Sequence, residues 1–437
     1  MSVNPVRNSP PRRPSGRASA GAISNGINAF DEAQKQLDRA LAVSPITENL
    51  HKRLLKPERE ITVAIPITMD DGSLRMFEGY RVQYSSLRGP YKGGVRFHSQ
   101  TDINEVRALA FWMTMKCALA GLAMGGGKGG ITVDPRELSA PEIERLSRGW
   151  VRALYTLLGP DQDIPAPDVN TTPEIMCWMS EEYAKLTGDT RNAAFTGKAL
   201  ICGGSEGRGA ATSAGGFYVF EALRSRAGLP DQTVVVVQGM GNVGGGTAKI
   251  FAEHGHTIVA MSDSKGGIYS ESGLDPVEVE TYKKENGSLK GFPNAEEISN
   301  EQLLELSCDV LIPAALENQI TKENAKNIKA KMVLELANGP TTTEADDILF
   351  ERGVVVVPDI LANAGGVVVS TYEWEQNLKN EHWSEKDVLE KLHKLLEHEA
   401  KNVWDRSKKL PTDLRRAAFA IALERLEGAR TIDTKVS

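Results

Sequence analysis

Three lysines and a glycine fingerprint are the features of this 437-residue chain whose types and spacing could do chemistry. Lys116 lies in residues 108–120, a stretch apolar almost all round, which predicts a buried helix. Lys128 sits in Gly125-Gly-Gly-Lys-Gly-Gly130, where side chains are missing and another molecule can approach the backbone. Lys92 lies upstream in Tyr91-Lys-Gly-Gly-Val-Arg-Phe-His98. A buried ammonium is costly unless an anion meets it, and residues 106–133 contain no Asp or Glu. Three cations without an internal acid predict a pocket for a small substrate that brings carboxylates.

The second feature is Gly239-Met-Gly241-Asn242-Val243-Gly244, which follows the apolar run Thr233-Val-Val-Val-Val-Gln238 and opens a helix. In such a turn the first glycine permits the bend, the second admits pyrophosphate, and the third packs helix on strand. The helix N-terminus adds free N–H groups and a positive dipole end. Asp263 closes the next strand about twenty residues on, where a carboxylate can bind ribose hydroxyls. That favours NAD. Ser264 and Lys265 could instead hold a 2′-phosphate, which leaves NADP open. Asn338 and Asn363 follow later strands and could hydrogen-bond ribose or a nicotinamide amide.

These groups need elements to position them, and the length predicts two domains. Apolar content of 41% and charged content of 25% suit an ordinary globular chain, and a net charge of −7 argues against nucleic-acid binding. No run is long and apolar enough to predict a membrane span. The four scattered cysteines predict reduced thiols and a cytoplasmic setting, and the histidines show no metal-ligand spacing. His254 and His256 flank a helix–strand turn and are expected at the surface. Residues 1–26 carry four arginines, four prolines and no acid. Their composition overlaps that of transit peptides, but the prolines spoil an amphipathic helix and favour a disordered tail.

From Phe30 an amphipathic helix is expected, then strands over 60–66 and 76–84 joined at Asp70-Asp71-Gly72. The lysine helix follows, then a short strand over 131–134 and a helix over 141–158. Prolines 160, 165 and 167 keep 159–168 out of helix, and Thr172-Pro173 starts another. Beyond Thr233, apolar strands at 233–238, 257–261, 309–313, 332–336 and 354–358 alternate with helices and predict a parallel sheet covered on both faces. The end is helical, with Val388, Leu389, Leu392, Leu395 and Leu396 on one stripe. The fold class is therefore α/β, with a first α/β region followed by a Rossmann-type doubly wound dinucleotide-binding domain and C-terminal helices.

Five segments carry a resemblance: the Tyr91–His98 run, Met124-Gly-Gly-Gly-Lys128-Gly-Gly, Pro165-Ala-Pro-Asp168-Val-Asn-Thr171, Gly203-Gly-Ser-Glu-Gly-Arg208 and Asn363-Ala-Gly-Gly-Val-Val-Val-Ser370. In this order they resemble the amino-acid dehydrogenases acting on glutamate, leucine, phenylalanine or valine. The resemblance implies that Lys128 is the catalytic lysine, made acidic by burial and by Lys92 and Lys116, and that Asp168 shuttles the proton of the amino group. It implies that Lys116 binds the α-carboxylate, that Lys92 and Ser370 bind a side-chain carboxylate, and that Arg208 and Thr212 contact the cofactor side. Members preferring apolar amino acids carry apolar residues at the Lys92 and Ser370 places, so L-glutamate is the expected substrate. Met113 departs from members with glutamine there. Leucine, phenylalanine or valine oxidation and a non-catalytic homologue are the alternatives. The likeness implies the domain plan, a substrate-binding and oligomerisation domain (27–205), a dinucleotide-binding Rossmann domain (206–368) and C-terminal helices (369–437) returning to the first domain, and it alone implies a homohexamer.

Overall fold

The computed structural model describes residues 29–436, so the expected disordered tail lies outside the described residues. Helix α1 (Ala29–Val43) buries Ala33, Leu37 and Ala40, the stripe expected from Phe30 onward. After α2 (Glu48–Leu54) the chain forms a hairpin of β1 (Arg59–Thr68) and β2 (Leu74–Ser85). Strand β3 (Tyr91–His98) leads into α3 (Ile103–Leu119), whose N-terminus is capped by the Asp102 side chain accepting from Glu105 N. Strand β4 (Gly126–Thr132), α4 (Ala140–Leu154), β5 (Asp163–Pro167) and α5 (Pro173–Thr187) complete the first unit. Its mixed sheet runs β1-β2-β4-β3-β5, with β4, β3 and β5 parallel.

Two expectations change here. The glycine run around Lys128 is itself strand β4, and the strand ends where 131–134 was expected to form one. Its glycines admit protein rather than ligand: a Cβ on Gly126 would lie 2.0 Å from Thr114 Oγ1, and one on Gly125 would lie 2.1 Å from Ser85 O. The proline-rich 163–167 segment, legible only as non-helical, pairs with β3 as strand β5.

Helix α6 (Ala211–Arg224) precedes the second sheet. That sheet is built from β6 (Val234–Gln238), α7 (Asn242–Glu253), β7 (Thr257–Asp263), β8 (Gly266–Tyr269), α8 (Pro276–Asn286), β9 (Glu296–Ile298), α9 (Asn300–Leu304), β10 (Val310–Pro313), β11 (Met332–Leu334), α10 (Thr343–Glu351) and β12 (Val355–Val357). The order is β12-β11-β10-β6-β7-β8-β9. The five expected strands are parallel, but β8 and β9 add an antiparallel edge too short to show in the sequence pattern. Order reverses between β6 and β10, and the glycine fingerprint leaves β6 at that point, where open α/β sheets bind ligands.

Short α11 (Asp359–Ala362) and α12 (Gly365–Lys379) are followed by the long α13 (Glu385–Lys409) and α14 (Leu414–Val436). Val388, Leu392 and Leu396 are buried, while Leu389 and Leu395 are partly so. Helix α14 packs on α3 and α1, and α13 on α6, so one apolar core runs continuously from α1 through both sheets to the C-terminal helices. A second core fills the far face of the first sheet against α4 and α5, and a third fills the far face of the second sheet. The molecule is a two-domain α/β fold. No helix of the described residues is long and apolar enough to cross a membrane.

Three further residues depart from expectation. Cys177 and Cys202 form a disulfide with Cα atoms 5.9 Å apart, tying α5 to the segment before α6. Their 25-residue separation gave no hint of proximity; Cys117 and Cys308 are free and buried. His256 is buried, its Nδ1 accepting from Thr233 N at 3.1 Å, whereas His254 is exposed.

Candidate active site

The first sheet and α3 deliver the three lysines to one region, each by a different element. Lys128 projects from β4, Lys92 from β3 and Lys116 from the last turn of α3, and all three are buried. Register pairs Val95 with Gly129, so Lys92, Arg96 and Lys128 stand on one face of the sheet.

Lys128 does have an internal counter-ion, which corrects the sequence expectation. Its Nζ lies 2.9 Å from Asp168 Oδ2, on the loop after β5. The span without acids was real, but the partner comes from forty residues downstream, beyond what local composition shows. Burial pushes the Lys128 ammonium down to about 8 against the pull of Asp168, with Arg96 and Lys116 adding repulsion. Arg96, not Lys92, is the main repelling cation. An ammonium that sheds its proton near neutrality can serve as a base. Burial would raise the Asp168 carboxyl, but Lys128 and Arg96 outweigh it and hold it well below the usual carboxylate range.

The Asp168 loop is held less by its prolines than by its polar residues. Thr171 Oγ1 accepts from Asp168 N at 2.8 Å and donates to Val95 O at 2.9 Å. Asn170 adopts a left-handed φ of 57° and donates to Phe97 O at 2.9 Å. Beneath the loop, a Cβ on Gly94 would lie 2.7 Å from Asp168 Cβ, so only glycine lets the aspartate sit over the strand.

Lys116 and Lys92 are held by neutral oxygens. Lys116 Nζ donates to Asn363 Oδ1 at 2.6 Å and Asn338 Oδ1 at 3.3 Å. The two asparagines, candidates for hydrogen bonds to ribose or nicotinamide, thus also contact Lys116, and Asn363 is oriented by donating to the Leu336 and Ala337 carbonyls. Burial lowers the Lys116 pKa, and Asp359 partly offsets this. Lys92 Nζ donates to Thr196 Oγ1 at 2.7 Å and Ile164 O at 3.2 Å, and burial brings its pKa to about 7. Neutral carbonyls and hydroxyls leave each ammonium short of negative charge, as a carboxylate-binding pocket requires.

Ser370, expected with Lys92 on a side-chain carboxylate, accepts from Arg208 Nε at 3.0 Å, and Arg208 is one of the cations acting on Lys92. Thr196 is the hydroxyl on Lys92, and nothing in the surrounding sequence marks it. The loop carrying it is tied to α12 by Glu373, whose Oε2 accepts from Gly197 N at 2.7 Å and whose Oε1 pairs with Lys198 Nζ at 2.7 Å. Arg96 was also missed, though its spacing of two residues from Gly94 and four from Lys92 placed it on their face. Thr212 lies in the first turn of α6, where a Cβ on Gly366 would lie 2.9 Å from its Oγ1 and 3.6 Å from the Arg208 guanidinium.

At the carboxyl end of β6 the fingerprint glycines divide the labour. Gly239 takes a φ of +100° against the end of β10, and a Cβ on Gly244 would lie 1.8 Å from Gly239 O. Gly241, the N-cap of α7, would place a Cβ in open space, with Asn242 exposed and Val243 partly so behind it. An open N-cap at a helix N-terminus fits a dinucleotide pyrophosphate. Asp263 is anchored by Lys265 N at 2.7 Å on Oδ1 and Leu289 N at 3.1 Å on Oδ2. Ser264 is exposed, and Lys265 Nζ donates to Gly287 O at 3.1 Å. Among the described residues no group of three or more His, Cys, Asp or Glu could hold a metal ion.

Known proteins share this fold and much of this sequence. The family described as Glutamate/Leucine/Phenylalanine/Valine dehydrogenase matches residues 203–432, and its dimerisation domain matches residues 57–185. The chain is 47% identical over 410 residues to an NADP-specific glutamate dehydrogenase of Synechocystis, covering 92% of this chain and 96% of that protein. It is 45% identical over 409 residues to an NAD-specific glutamate dehydrogenase of Clostridioides difficile, covering 92% and 97%. A crystal structure of a hetero-hexameric glutamate dehydrogenase from Thermus thermophilus, in a leucine-bound form, superposes with a TM-score of 0.90 at 37% identity, over 95% of this chain and 99% of that one. On these matches over nearly its whole length, the chain belongs to the glutamate/leucine/phenylalanine/valine dehydrogenase family.

Proposed function

We propose that the protein catalyses the reversible oxidative deamination of L-glutamate to 2-oxoglutarate and ammonium, coupled to reduction of NAD or NADP. Relatives bearing that activity in their names, at 45–47% identity, support the reaction and both cofactors. The observation that carries it is the trio of buried lysines, two of them held only by neutral oxygens and open to exchange those partners for substrate carboxylates.

In this reading Lys116 takes the α-carboxylate, displacing Asn338 and Asn363, and Lys92 with Thr196 takes the side-chain carboxylate, with Ser370 close by on Arg208. Gly239, Gly241, Asn242, Val243, Gly244, Asp263 and Ser264 would hold the dinucleotide, with Arg208, Thr212, Asn338 and Asn363 toward its nicotinamide end. Bound there, a nicotinamide dinucleotide would supply the acceptor for the hydride that leaves the substrate Cα. Asp168 takes the proton that frees the substrate nitrogen. Neutral Lys128 draws a proton from the water that attacks the resulting 2-iminoglutarate, and Asp168 returns a proton to the departing ammonia. Asp263 favours a free ribose hydroxyl, and Ser264 and Lys265 leave room for a 2′-phosphate.

Domain limits near 205 and 368, a homohexamer and a cytoplasmic location belong to the same proposal. The Thermus neighbour, described as hetero-hexameric, supports a six-subunit assembly but not identical subunits. Two buried free thiols support the location, and the Cys177–Cys202 bond is the observation against it. Initial rates with glutamate and leucine, each with NAD and NADP, test the reading; a higher rate with leucine removes it.

A further inference from the structure

We propose that Arg96, anchored by Glu105, is a positioning residue for the Lys128–Asp168 pair. It grips the aspartate by the same oxygen that Lys128 uses and leaves the other oxygen for the substrate nitrogen. The inference rests on the roles given to Lys128 and Asp168 above. Arg96 Nε lies 2.7 Å from Asp168 Oδ2, and Lys128 Nζ lies 2.9 Å from the same atom. Among the described residues nothing donates to Oδ1. The guanidinium is fixed from behind, because Arg96 Nη1 pairs with Glu105 Oε1 in the first turn of α3. Glu105 Oε2 is buried without a partner, so that carboxylate is committed to Arg96. A planar guanidinium with two filled edges sets a direction that a point charge does not.

The charged groups facing Lys128 are Asp168 from the loop after β5, Arg96 from β3 and Lys116 from α3. Arg96 therefore acts on Lys128 twice: it repels the ammonium and shares the carboxylate that would otherwise serve Lys128 alone. Both effects make the lysine easier to deprotonate. Without Arg96, the lysine would hold its proton to higher pH, and activity would begin at higher pH.

The test is the pH profile of kcat/KM for glutamate in the wild type, Arg96→Met, Arg96→Lys and Glu105→Gln, with thermal melts and dinucleotide binding as controls. Arg96→Met is expected to lower kcat about 100-fold or more with a smaller change in KM, and to move the acidic limb up by about one pH unit. Arg96→Lys keeps the charge and should leave the limb in place while lowering kcat. Glu105→Gln should lower kcat about tenfold with the limb unmoved. A folded Arg96→Met enzyme whose limb stays at the wild-type position overturns the proposal. If that variant does not fold, Arg96→Lys decides: a displaced limb, or wild-type kcat, overturns it. A wild type inactive on glutamate would instead strike the functional reading beneath.

Discussion

Two glycine runs in this chain look alike on paper and do opposite work. In Gly125–Gly130 the missing side chains are replaced by protein: Thr114 of α3 and Ser85 of β2 fill the space. In Gly239–Gly244 only the first and last glycines are hemmed in, and Gly241 faces open space at the start of α7. The first run lets α3 lie against β4, which brings Lys116 down beside Lys128. The second leaves a helix N-terminus bare for a ligand. Glycine composition alone does not separate these uses; the atoms around each Cβ position do.

Substitutions sharpen that contrast. Gly126→Ala forces a Cβ into the Thr114 backbone, 2.4 Å from its nitrogen, and should cost several kcal/mol or prevent folding. Loss of the cooperative melt checks it; a stable, active Gly126→Ala protein breaks the comparison. Within the same run, Lys128→Ala should fold and bind dinucleotide normally while turnover falls about 10⁴-fold or more. Near-normal turnover would remove Lys128 from the chemistry. Gly241→Ala should melt within about 2 °C of the wild type, yet bind dinucleotide about tenfold more weakly by titration. Unchanged affinity would mean that the open N-cap is not the pyrophosphate seat.

The smallest effects are in pH. Glutamate oxidation should accelerate as pH rises through about 8, where Lys128 loses its proton. Lys92 titrates near 7 when folded and near its ordinary value of 10.5 when unfolded. Between those limits the unfolded chain binds more protons, so the penalty for burying this lysine shrinks and stability rises as pH climbs from about 7. Lys92→Met should therefore flatten the rise in melting temperature between pH 7 and 9. An unchanged slope would show that the lysine is not buried in a low-polarity pocket.

Much of this was legible in the sequence. The apolar strands of the second sheet stood out because valine and isoleucine runs alternate with helices, and the Asp70-Asp71-Gly72 turn marked its hairpin. Strand β4 did not, since glycine carries no strand signal and its pairing is fixed by neighbours far along the chain. The Lys128–Asp168 pair, the Cys177–Cys202 bond and the Lys92–Thr196 contact all join residues with no common spacing. Asn338 and Asn363 followed the right strands, but which of two ligands they face depends on how the domains meet.

In the proposed function, buried ammonium groups held by neutral oxygens select an amino acid with two carboxylates. The most direct measurement is kcat/KM for glutamate against norvaline, in the wild type and in Lys92→Leu. The wild type should strongly prefer glutamate, and that ratio should fall about 100-fold or more in the variant. Equal discrimination in both proteins, or a wild type that prefers norvaline, would contradict it.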